Sequence, residues 1–265
     1  MRNSDHARSI AVLIALFALN GMAWAFDPER DAWLYSPDEG SRPAEMRKAR
    51  DPVEFARIRA TGNDLEPEYA GAGQLELILA AGQGDRARLE SLLQQGVNPN
   101  GLAGFRGKTA LILAVEQGDV EITRLLLDAG ADPDLQGGGF TPLGLAALRG
   151  HSRIAGLLLH AGADPDRKSG DGNTPLTAAA AMNRVETLRV LLAAGADPSR
   201  FNREGRTALS VAAMEGFEVA LQVMLEAGVD VNVLDRNKGT ALDSSGFSNN
   251  KRIPKLLVEH GAGVQ

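Results

Sequence analysis

The sequence predicts an all-α solenoid of six helix pairs joined by finger-like hairpin loops, with the first and last pairs acting as caps. Two residue series and one composition pattern predict it. Threonines at 109, 141, 174, 207 and 240 recur at gaps of 32, 33, 33 and 33. Glycines at 96, 130, 162, 195, 228 and 261 recur at gaps of 34, 32, 33, 33 and 33. Between each threonine and the next glycine run a stretch of small residues and then a leucine-rich stretch. A fixed period of 33 marks a repeat architecture, in which one unit buries its apolar face only by stacking on its neighbours.

Along the chain, residues 1–25 read as an export signal. Arg2 and Arg8 precede an apolar run from Ile10 to Leu19, and Ala23-Trp24-Ala25 supplies a small-x-small cleavage site after Ala25. Ten apolar residues span only about 15 Å as a helix, half of a bilayer's hydrocarbon layer, so a cleaved signal is expected over a membrane anchor. Residues 26–72 form an N-terminal arm that mixes charge with Pro28, Pro37, Pro43, Pro52 and Pro67 and with Trp33, Tyr35, Phe55 and Tyr69. A helix from about Pro52 to Ala60 is expected there, with proline at its start. The arm either caps the first helix pair or reaches a partner.

The repeat domain occupies residues 73–265. Each unit opens at its threonine, whose hydroxyl can cap free helix amides, followed by proline or alanine at the first helical position. A short helix of small residues ends nine positions on, at Gly118, Gly150, Asn183, Gly216 and Asn249, all residue types that accept left-handed backbone angles. A second helix with a leucine face, such as Leu125 to Leu127, stops at glycine. The first pair, Leu75 to Gly96, lacks the opening threonine. In the last, the usual Leu-Ala-Ala becomes Ser244, Ser245 and Gly246, which suits an exposed capping face. The segments "GKTALILAVEQGDVEITRLLLDAGADPD", "GFTPLGLAALRGHSRIAGLLLHAGADPD" and "GNTPLTAAAAMNRVETLRVLLAAGADPS" closely resemble the ankyrin repeat, over residues 73–265. The resemblance departs in one respect. The usual TPLH histidine is replaced by Ile112, Gly144, Thr177, Ser210 and Asp243, which removes the hydrogen bond by which it ties helix to finger.

Composition narrows the function. With 44% hydrophobic and 23% charged residues the chain can bury a core. A net charge of -6 argues against nucleic acid or anionic lipid as the main partner, because both require a dense basic surface. The absence of cysteine excludes disulfides, thiolate metal sites and cysteine nucleophiles. His160 and His260 fall in the last turn of a second helix, where partial positive charge offsets the helix dipole. His151 follows the glycine turn, where the resemblance implies that histidine is common; all three are read as serving the fold. The Asp132-Pro133-Asp134 and Asp164-Pro165-Asp166 acids recur with the repeat and lack the spacing of a metal loop. Gly137-Gly138-Gly139 lacks the Lys-Ser/Thr that follows in a phosphate loop. Ser152, Ser210, Ser244 and Ser245 have no histidine at a fixed repeat offset to activate them. No enzyme activity, cofactor or metal is expected.

The resemblance implies binding through finger tips and the concave face of the first helices. Seven positions after each threonine stand Glu116, Leu148, Ala181, Met214 and Phe247; three positions after stand Ile112 and its counterparts. Leu148, Ala181, Met214 and Phe247 form an apolar stripe, with Ile112 in the same groove, and such stripes mark contact surfaces. The fingers contribute Phe105, Phe140 and Phe201 with Arg203 and Arg206, types that dominate interface energetics. The finger phenylalanines either touch a partner or wedge between fingers. The expected protein is therefore a monomeric, periplasmic protein-protein interaction module, a scaffold or accessory for a periplasmic enzyme or stress-response protein. The alternative is an immunity protein that neutralises a delivered toxin, and an enzyme is a distant third.

Overall fold

A computed structural model describes residues 73–102 and 107–263. The expected signal, its cleavage site, the 26–72 arm and Phe105 lie outside the described residues. Within them the chain forms twelve helices in six pairs. These are α1 (Gln74–Gln83) with α2 (Arg86–Gln94), α3 (Ala110–Gln117) with α4 (Val120–Asp128), and α5 (Pro142–Arg149) with α6 (Ser152–His160). Then follow α7 (Pro175–Ala181) with α8 (Val185–Ala193), α9 (Ala208–Glu215) with α10 (Glu218–Glu226), and α11 (Ala241–Ser245) with α12 (Arg252–Glu259).

Each helix start has a local cause. The hydroxyls of Thr109, Thr141, Thr174, Thr207 and Thr240 accept from the amides of Ile112, Gly144, Thr177, Ser210 and Asp243 respectively. Pro142 and Pro175 sit at the first helical position, where a missing donor costs nothing. The first pair differs as expected, since Gly73 precedes α1 without a side-chain cap. The inner helices end on left-handed residues at Gly118, Gly150, Asn183 and Gly216. Asn249 departs from that expectation: it is not left-handed, because α11 stops early at Gly246, itself right-handed at φ -62°.

Odd-numbered helices pack on one another in sequence, even-numbered helices do likewise, and each pair packs internally. The inner helices are buried almost all round: every residue from Ala110 to Val115 is covered, as is every residue from Pro142 to Ala147. Outer helices bury one stripe, for example Ile122, Thr123 and Leu126. Each fully buried leucine or isoleucine contributes about 1.5–3 kcal/mol, and almost all of it requires a neighbouring repeat. Ser244 and Ser245 correct the reading of an exposed last face. Both are buried, because α11 packs against α9 as every earlier inner helix packs on its predecessor. The Ser245 hydroxyl is satisfied by donating to the Leu242 carbonyl at 2.6 Å.

The helix-to-finger bond lost with the TPLH histidine is partly supplied by other residues. Ser169, in the finger after α6, accepts from the Thr141 amide at 3.1 Å. Buried Asn202 accepts from the Arg206 amide at 3.0 Å inside the next finger. Neighbouring fingers are joined directly by Gly170 N–H to Gly139 O and Arg236 N–H to Gly205 O, both 2.8 Å.

Candidate functional site

The apolar stripe lies at the C-terminal ends of the inner helices, where the backbone turns toward the outer partner and cover is thinnest. Leu148, Ala181 and Met214 are half-buried there, and Phe247 is 80% exposed. Met182, which the sequence reading missed, adds to them at 48% exposure. It stands one residue further on, where other repeats carry Gln117, Arg149, Glu215 and Ser248. A lone apolar residue in an otherwise polar column was the available signal.

Ile112 is a correction: it is 1% exposed and does not line a surface. Three residues into the helix, the side chain points beneath the next finger. A methyl on Gly137 would stand 3.1 Å from Ile112 Cγ1. Gly144, Thr177 and Ser210 are buried for the same reason, and only Asp243 of that column is exposed.

The stripe has a charged border and an open end. Glu116, its counterpart in the second pair, is held by Lys108 at 2.6 Å and by Arg149 at 3.4 Å, so this border is polar. At the far end Met214 and Phe247 face an open hollow shared with Glu215, Gly216, Ser248, Asn249 and Asn250. The hollow is built by Asn250, whose side-chain amide donates to Gly216 O at 3.2 Å.

The finger residues divide. Phe140 is half-buried and bridges back to Gly137, closing its own finger. Phe201 is flanked by cations from the fingers on either side: Lys168 Nζ lies 5.6 Å and Arg236 Cζ 5.1 Å from its ring centroid. Arg203 is exposed and lies across Gly172 of the preceding finger, where a methyl would meet its Cβ at 2.8 Å. Arg206 is half-buried.

The acids between helix and finger act structurally. Asp132 and Asp164 each accept from the amide two residues on, forming a tight turn. Asp134 accepts from the Asp164 amide at 3.2 Å and Asp166 from the Asp197 amide at 2.9 Å, so they form rungs between repeats. Burial pushes both carboxyls above their ordinary range, while those amide bonds pull them partly back. Asn100 and Asn232 occupy the same rung positions and make two bonds each. The glycine run is a finger turn, with Gly138 and Gly139 left-handed. His151 packs its ring beside Gly118, and burial, aided by the Arg149 charge, lowers its basicity. The Ser210 and Ser245 hydroxyls bond within their own helix segments.

Residues 77–169 match a family model described as ankyrin repeats (3 copies), and residues 176–224 match one described as ankyrin repeats (many copies). Together the matches take in just over half of the chain. Among curated proteins, the ADP-ribosylation factor GTPase-activating protein AGD2 of Arabidopsis thaliana is 31% identical over 136 residues. That alignment covers 51% of this chain and 17% of the relative, so the chain spans about a sixth of the relative's length.

Proposed function

Starting from the premise that the chain belongs to the ankyrin-repeat family, we propose that it is a non-enzymatic periplasmic module that binds another protein through the stripe Leu148, Ala181, Met182, Met214 and Phe247. The observation that carries this reading is the exposure of the stripe's end. Phe247 is 80% exposed, the most exposed large apolar side chain among the described residues, in a repeat that buries Ala241, Ile253 and Leu257 and leaves Val258 54% exposed on the outer helix. Packing does not account for a phenylalanine held in water, whereas a partner surface does. The periplasmic address rests on Arg2, Arg8, the Ile10–Leu19 run and Ala23-Trp24-Ala25. A scaffold or accessory to a periplasmic enzyme or stress-response protein is the role most in keeping with both.

The test combines localisation with capture. N-terminal sequencing of protein from a periplasmic extract should return Phe26 as the first residue; intact Met1 in the membrane fraction refutes export. Met214→Asp and Phe247→Asp should abolish capture of the periplasmic partner while thermal unfolding stays near wild type. Retained capture in both variants removes the stripe from the binding site. A deletion strain with its own stress defect marks a scaffold. A strain healthy until challenged by a toxin marks an immunity protein.

A further inference from the structure

The finger tips of the third to fifth pairs form a basic edge on an acidic protein. Lys168, Arg203, Arg206, Arg236 and Lys238 lie on three successive fingers, and none forms an ion pair with a described residue. Two of the three acids among these tips are engaged locally: Asp171 bonds Asn173, and Asp235 accepts from the Asn237 and Gly239 amides at 2.8 Å. The third, Glu204, is exposed, so five cations stand against three acids. Phe201 holds Lys168 and Arg236 on its ring, which fixes two like charges beside one apolar surface. Their mutual repulsion is relieved when an anion comes between or over them. Close packing of Arg203 on Gly172 and of Arg236 on Gly205 holds two arginines at one repeat offset, so the cations are spaced by the fold.

We propose that this finger edge docks an acidic, partly apolar segment of the partner protein. The inference rests on the binding-module reading and adds the chemistry of what is bound. A long polyanion fits poorly. The bases of these fingers carry Asp164, Asp166, Asp197 and Asp230, and the whole chain has a net charge of -6. With a Debye length of about 8 Å at physiological salt, a short segment that touches only the tips feels the cations, whereas nucleic acid tracking the whole face meets the acids as well. Aromatic and arginine side chains side by side also suit a segment with both carboxylates and apolar groups.

The test selects random displayed peptides of about twelve residues, which extended reach about 40 Å, on the immobilised full-length chain. The enriched peptides should carry net negative charge and apolar residues. Their affinity should fall about tenfold or more in Arg203→Glu/Arg236→Glu, with a loss that shrinks as salt rises. Lys238→Glu, exposed at a finger tip, should weaken binding in the same direction and serves if the double variant misfolds. Enrichment of neutral or basic peptides, or unchanged affinity in both charge-reversal variants, overturns the proposal. So does equal displacement by single-stranded DNA of the same charge, which marks a general polyanion site. Loss of binding in Met214→Asp and Phe247→Asp with no effect of charge reversal leaves the module reading standing and removes the finger edge. No enrichment on the wild-type chain removes both.

Discussion

The Ser169 hydroxyl accepts from the Thr141 backbone amide across a repeat boundary, at 3.1 Å, and it fills the space that the absent side chain of Gly144 leaves open. A finger residue thus reaches back to the helix start of the preceding pair, and the glycine makes room for it. Ser169→Ala leaves a buried amide unpaired and should cost about 1–3 kcal/mol. Gly144→Ala should also destabilise, although alanine is the better helix former, because its methyl overlaps the Ser169 hydroxyl. The double variant should cost less than the sum of the two. Urea titration of the four proteins measures this, and strict additivity would show that the two positions do not interact.

Thr187 is fully buried in α8, and its hydroxyl has no partner among the described residues. The same position is Ile122, Ile154, Ala220 and Ile253 in the other full-length pairs. Thr187→Val keeps the shape and removes the buried polar atom, so it should raise stability by about 1 kcal/mol. The urea midpoint should move up with an unchanged slope.

Most of the fold was legible because a repeat states each rule several times. Threonine caps, glycine stops and the leucine face were each visible in successive copies, and one imperfect copy could not mislead. The candidate binding face was harder. Ile112 and Leu148 are both apolar and lie on the same kind of helix, yet one is beneath a finger and the other at a rim. Only the path of the following finger decides which. Ser244 and Ser245 mislead in the opposite direction: polarity suggested exposure, but the stack buries whatever residue occupies that offset. Met182 was missed because it stands one residue past the column examined for contact.

The rung acids give stability a pH dependence that works against them at neutral pH. Burial raises the Asp134 and Asp166 carboxyls in the folded chain above their unfolded value near 4. The folded state therefore binds protons more readily than the unfolded one. Their favourable contribution is fully present below the unfolded value and is lost as pH rises through the folded one. Asparagine keeps the acceptor, removes the buried charge and, as Asn100 and Asn232 show, adds a donor to the neighbouring carbonyl. Asp134→Asn and Asp166→Asn should each stabilise the chain at pH 7 by about 0.5–1 kcal/mol, with the gain shrinking toward pH 3. Thermal unfolding across that pH range provides the measurement; a gain that grows on acidification contradicts the sign.

Asp197 has the opposite sign, because the Ser199 hydroxyl and amide both donate to it and hold its carboxyl below the usual range. Its contribution is present above the unfolded value and is lost as pH falls through the folded one. Ser199→Ala removes the hydroxyl donor but keeps the amide, so the Asp197 carboxyl should titrate higher than in the wild type. Carboxyl-carbon NMR of Asp197 in both proteins reads the shift directly.

Leu126, Leu191 and Leu257 are all fully buried, yet they should not be equivalent. Leu126 and Leu191 lie on α4 and α8, which have outer helices packed on both sides, so losing either side chain leaves a cavity that neighbours cannot abandon. Leu126→Ala and Leu191→Ala should each cost about 2–5 kcal/mol. Leu257 lies on α12, which among the described helices packs mainly on α10 and α11. Once Leu257→Ala weakens that contact, the last pair can detach while the rest of the stack stays folded. The global loss is therefore bounded by what the last pair contributes, and should be smaller. Hydrogen exchange should show lost protection confined to α11 and α12 in Leu257→Ala, but spread across several pairs in Leu126→Ala. Gly246→Ala offers the converse, because Gly246 is right-handed and a methyl there would meet only the Asp243 carbonyl at 3.4 Å. Extending α11 by one good helix former should raise protection at this end, by about 0.5–1 kcal/mol. If Leu257→Ala proved the most damaging of the three leucine variants in urea, folding would be cooperative across the whole array.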